Sequence, residues 1–109
     1  MNKTIIFRSM GHSDTIANYI HTQFERISKF FKREPLPINL AISLQAHHEK
    51  FVYTIQCKVN SLHYHIKVNL QGNDIYAIID EAVHKINKEI VRKKEKFMNI
   101  SHHKYNFSV

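Results

Sequence analysis

Three stretches in the middle of the chain alternate apolar and polar residues. In 38–44 the even positions are apolar (Ile38, Leu40, Ile42, Leu44), and in 51–59 the odd ones are (Phe51, Tyr53, Ile55, Cys57, Val59). In 62–70 the even positions are apolar again (Leu62, Tyr64, Ile66, Val68, Leu70). A period of two places one side of each strand in a core and the other in water. Asn60-Ser61 reads as a two-residue hairpin loop, and residues 46–50 as a longer polar connection. A short β-branched and aromatic run over 4–8, ending on Arg8, predicts a further strand at the start.

Two other stretches repeat with the helical period. After Gly11-His12, Ser13 is a plausible N-cap with Asp14 in the first turn. Ile16, Tyr19, Ile20, Phe24, Ile27, Phe30 and Phe31 then recur at spacings of three and four to about Arg33. Aromatics spaced in this way fill a core, and Pro35 and Pro37 stop the helix. The second helix follows Gly72, is capped by Asn73 or Asp74, and runs to Phe97, with Ile75, Ile79, Ala82, Val83, Ile86 and Ile90 on one side.

The predicted order is β-α-β-β-β-α, an α+β domain over residues 1–97. Its four-stranded mixed sheet carries two helices on its single apolar face. If the first two strands are parallel, joined through a right-handed crossover, the two helices run parallel to each other. From Met98 to Val109 no period survives, and this part is expected to be a flexible basic tail.

Composition sharpens the picture through charge. The 109 residues hold 16 Lys and Arg against 9 Asp and Glu, a net +7, with one cysteine and apolar runs too short for a membrane span or a signal peptide. A lone Cys57 excludes a disulfide framework and a cysteine zinc cluster, and a reducing cytoplasm is the expected home. The cations are placed in order. Lys85, Lys88, Arg92 and Lys96 recur three and four apart on the second helix, with Lys93 beside them. Arg26, Lys29 and Arg33 do so on the first. Parallel helices would bring both rows to one end of the domain, a surface for a polyanion.

Other chemistry fits less well. The nine histidines include His63 and His65, expected on the wet side of the last strand, whereas Cys57 falls on the apolar side, so no tetrahedral site forms. No metal or other cofactor is expected. Asp74, Asp80 and Glu81 are explained by the start of a helix, Ser13 by its cap, and no glycine-rich phosphate loop exists. The chain is therefore read as a binding protein without a small-molecule substrate, not as an enzyme. Phe51, Tyr53 and Tyr64 are expected under the helices, leaving no base-stacking platform on the sheet. Phosphate recognition by the helices, as in double-stranded-RNA-binding domains, is the reading that remains. The alternative is a basic module for an acidic protein partner.

The segment 74–80, Asp-Ile-Tyr-Ala-Ile-Ile-Asp, followed by the cations at Lys85, Lys88, Arg92 and Lys96, resembles the ribosome hibernation-promoting factor and ribosome-associated inhibitor family. Arg8 fits the basic residue that ends that family's first strand, Ser13 its helix cap, and Arg26 and Lys29 basic positions of its first helix. The resemblance spans residues 3–97 in the same element order. It implies binding to the small ribosomal subunit, to 16S-type ribosomal RNA and neighbouring ribosomal proteins, over the messenger and transfer RNA sites. It also implies silencing of idle ribosomes in stationary phase or stress. The chain resembles the family's short form, which promotes ribosome pairing alongside a separate ribosome modulation factor. The turn at Asn60-Ser61 is shorter than the family's Pro/Gly turn, and the tail is basic.

Overall fold

The alternating stretches form one sheet. The computed structural model describes the backbone of residues 1–108 and the side chains of residues 1–96. Its elements are β1 (Asn2–Arg8), α1 (Asp14–Ser28), β2 (Asn39–His47), β3 (Val52–Asn60), β4 (His65–Gly72) and α2 (Ile75–Ser108). A 3-10 turn, Lys29–Phe31, extends α1. The sheet order is β1-β2-β3-β4, with β1 parallel to β2 and the other pairs antiparallel. The α+β, β-α-β-β-β-α expectation holds, and the parallel pair β1–β2 supplies the crossover through α1 that it required.

The register accounts for the core. Leu40, Val59 and Ile66 stand opposite one another across β2, β3 and β4, as do Ile42, Cys57 and Val68, and then Leu44, Ile55 and Leu70. All face the helices, where Ile20, Phe24 and Ile27 of α1 and Ile79, Val83, Ile86 and Ile90 of α2 close the core. Every second residue of each strand consequently lies on the opposite, uncovered face.

Both helix starts behave as their sequences predict. Ser13 Oγ accepts from the Ile16 N–H at 3.3 Å, and Asp74 Oδ1 accepts from the Tyr76 and Ala77 N–H groups at 3.1 and 3.2 Å. Each carboxylate or hydroxyl satisfies donors that the first turn cannot. Gly72 is required just before α2, because a Cβ there would lie 2.6 Å from Ile78 Cγ2.

Several boundaries differ from the sequence expectation. The β3–β4 loop is residues 61–64, not Asn60-Ser61, since Asn60 still pairs with His65. Ser61 N–H donates to the Tyr64 carbonyl at 2.8 Å and closes the turn. Alternation therefore misplaces Leu62, which is 68% exposed, and His63, which lies in the loop and not on the strand. Phe51 likewise falls in the β2–β3 turn with φ of 54° and is 85% exposed, not covered by a helix. Regular α-helix in α1 ends at Ser28, five residues before Arg33. Finally, α2 is helical as far as Ser108, because neither Gly nor Pro follows Gly72 to break it. The side chains of the segment expected to be a flexible tail, 98–109, lie outside the described residues.

Candidate nucleic-acid interface

The direction of the two helices decides whether the cations gather. Near their starts, the Tyr19 hydroxyl donates to Asp80 and the Tyr19 and Tyr76 rings meet edge-on, with centroids 5.0 Å apart. Near their ends, Lys94 Nζ donates to the Phe30 carbonyl at 2.5 Å and lies 5.5 Å from the Phe30 ring centroid. Start meets start and end meets end, so α1 and α2 are parallel. Their basic halves lie at the same end of the sheet, beside the β3–β4 loop.

These contacts also explain the Asp74–Asp80 segment that carries the resemblance. Asp74 caps, Tyr76 packs on Tyr19, and Asp80 accepts from the Tyr19 hydroxyl. The hydrogen bond to Asp80, together with burial, raises the Tyr19 pKa above its ordinary value. Asp80 is thus a clasp between helices, a role that dipole and capping arguments alone do not supply.

At the basic end a cleft of about 320 Å³ is lined by Lys29, Lys32, Arg33, Glu34, Lys94 and His63, with Phe30 and Tyr64 behind them. Its one carboxylate is engaged inward. Glu34, only 5% exposed at its side chain, accepts from the Ser61 hydroxyl, the His63 N–H at 3.0 Å and the His63 ring at 2.6 Å. Burial by itself would raise the Glu34 pKa, but these donors from Ser61 and His63 together hold it below the usual carboxylate value. The carboxylate therefore pins the β3–β4 loop against the end of α1. Tyr64 is fixed by the same turn, edge-on to Phe31 with centroids 5.4 Å apart.

The sequence-derived residues divide into three groups. Lys29 and Arg33 line the cleft, and exposed Arg26 stands one turn earlier on α1. Lys85, Lys88, Arg92 and Lys96 form an exposed row on α2, on a different side from Tyr76, Asp80 and Lys94, which meet α1. Half-buried Lys93 lies between that row and Lys94 in sequence. Two of the row are partly neutralised, Lys85 by Glu81 at 3.8 Å and Arg92 by Glu89 at 2.8 Å. Arg8 stands apart, at the far end of β1.

Sequence reasoning passed over Lys32, Lys94 and Glu34. Lys94 carried a signal: it follows Ile90 by four and continues the buried stripe of α2, so it had to turn toward α1. Glu34 carried none, since its partners are 27 and 29 residues away.

Among the described residues no three His, Cys, Asp or Glu side chains are grouped to hold a metal ion, and no helix is long and apolar enough to cross a membrane.

Solved structures share this architecture. The N-terminal domain of Protein Y from Thermus thermophilus superposes with a TM-score of 0.72 at 20% identity, covering 84% of this chain and 98% of that one. A ribosomal subunit interface protein from Coxiella burnetii gives 0.70 at 16% identity, covering 87% and 99%. No curated protein matches the sequence significantly. Residues 4–98, which include the clasp, the cleft and the basic row, match the family described as Sigma 54 modulation protein / S30EA ribosomal protein, and the chain belongs to that family.

Proposed function

We propose that the protein is a ribosome hibernation factor that binds the small ribosomal subunit through ribosomal RNA phosphates. The observation that carries this reading is the shared end of two parallel basic helices, built around the Lys29–Arg33–Lys94 cleft. Family membership supports it, and the fold is shared with a protein named a ribosomal subunit interface protein. The mode of action is steric. A domain held in the channel over the messenger and transfer RNA sites excludes both, so no bond is made or broken and no cofactor is needed. The cytoplasm is where such a partner resides. Pairing of ribosomes, with a separate modulation factor as a further partner, belongs to the same proposal.

Lysine and arginine contacts to phosphate add affinity with little sequence choice and are weakened by salt. With roughly six such contacts, affinity falls about a thousandfold between 50 and 200 mM salt. Co-sedimentation with purified small subunits tests the reading, comparing the wild type with a variant that reverses Lys85, Lys88, Arg92 and Lys96 to Glu. The variant should stay in the supernatant. Equal pelleting of both proteins would remove the helix row from the mechanism. Capture of a nuclease-resistant acidic protein in place of subunits would replace RNA by a protein partner.

A further inference from the structure

The face of the sheet turned away from the helices has an unusual charge pattern. None of the nine Asp and Glu residues lies in any of the four strands. The uncovered face instead carries Arg8, Lys58 and Lys67 amid amide side chains such as Gln56 and Asn69. The register stacks these in rows across the sheet: Thr4, Ala41, Lys58 and Lys67 in one, and Ile6, Ser43, Gln56 and Asn69 in the next. Arg8 begins the row after that, opposite Gln45.

Lys58 and Lys67 are direct cross-strand partners. Such partners have Cβ atoms about 5 Å apart, and like charges in this position oppose pairing. A solvated sheet face ordinarily relieves this with an opposite charge on the neighbouring strand, yet no ion pair to either lysine exists among the described residues. The repulsion is relieved when an anion lies across both. Amides flanking the pair supply donors and acceptors suited to sugar hydroxyls and base edges, which a purely electrostatic surface lacks.

We propose that this open sheet face is a second RNA-contacting surface, with Lys58 and Lys67 sharing the phosphates of one strand and Arg8 holding the same strand further along. The inference rests on the ribosomal RNA reading above and extends it. RNA would be held on both sides of the domain, at the basic helix end and across the sheet, so that the protein fills a gap between two RNA segments.

Lys67→Glu tests it, because the two effects of the change have opposite signs. Opposite Lys58, a carboxylate replaces repulsion with attraction, so the variant should melt at the same or a higher temperature than the wild type. Its affinity for purified small subunits should nevertheless fall about 10- to 100-fold at 100 mM salt, with a log–log salt slope shallower by one to two. The full-length Gln56→Cys variant, carrying a photo-crosslinker, gives a second readout. Cys57 does not compete for the label, because it is wholly buried and burial pushes its thiol up to about 12. Crosslinks from position 56 to small-subunit RNA are expected.

Wild-type affinity and salt slope in Lys67→Glu, with the helix-row variant still defective, would overturn the sheet proposal and leave the functional reading intact. Crosslinks confined to ribosomal proteins would overturn it also. Failure of the wild type to bind subunits at all would overturn both.

Discussion

Replacing Glu34 tests how the cleft is held together. Its carboxylate takes three hydrogen bonds, from the Ser61 hydroxyl, the His63 N–H and the His63 ring, while lying almost out of solvent. Hydrogen bonds to a charged group contribute about 1.5–3 kcal/mol each when buried. The His63 side chain is half exposed, so its share is screened and belongs near the bottom of that range or below it. The loop can also rehydrate the donors once the carboxylate is gone. Glu34→Ala is therefore expected to cost about 2–3 kcal/mol, and Glu34→Gln, which keeps the shape and one acceptor, about 1–2 kcal/mol.

Urea denaturation followed by far-ultraviolet circular dichroism at a series of pH values measures both. The pH dependence carries the sign. Glu34 titrates lower in the folded protein than in the unfolded chain, whose value is about 4.3. Its stabilisation is then fully present above that pH and is lost as the pH falls through the lower, folded-state value. The gap between wild type and Glu34→Gln should be open at neutral pH and close on acidification below about 4. A gap as wide in acid as at neutral pH would show that the charge plays no part. A Glu34→Ala cost under about 0.5 kcal/mol would refute the pinning of the loop altogether.

Two further substitutions probe the ends of the sheet. Phe51→Gly should raise stability by about 1 kcal/mol, since Phe51 holds a left-handed φ of 54° that favours glycine and is too exposed to lose packing; a lower melting temperature would mean that the ring makes contacts that matter. Gly72→Ala should lower stability by about 1–3 kcal/mol, because the new methyl meets the short, buried side chain of Ile78, which cannot swing aside. An unchanged urea midpoint would show that the start of α2 shifts freely.

Local rules that act within a few residues were enough for the elements and their faces. Alternation in 38–44 and 51–59 set which side of β2 and β3 is buried, and Ser13 and Asp74 announced the helix starts. The same local reasoning failed where alternation ran past the end of a strand. Phe51 and Leu62 keep the parity of their neighbours, but a turn residue no longer answers to the pleat, and both are exposed.

The sequence by itself determined a four-stranded sheet with two amphipathic helices, a large positive charge and the positions of its cations. Only the tertiary structure decided which of those cations share a surface. Lys94 joins Lys29 and Arg33 because the crossover through α1 makes the helices parallel, and Arg8 is set apart because β1 carries it to the opposite end of the sheet, beside Gln45. Glu34 reaches Ser61 and His63 because the chain folds back on itself, a distance in sequence that no periodic pattern spans. Helix and strand periods arise from backbone geometry over a few residues, whereas a binding surface is assembled from elements whose relative placement depends on how the whole core closes.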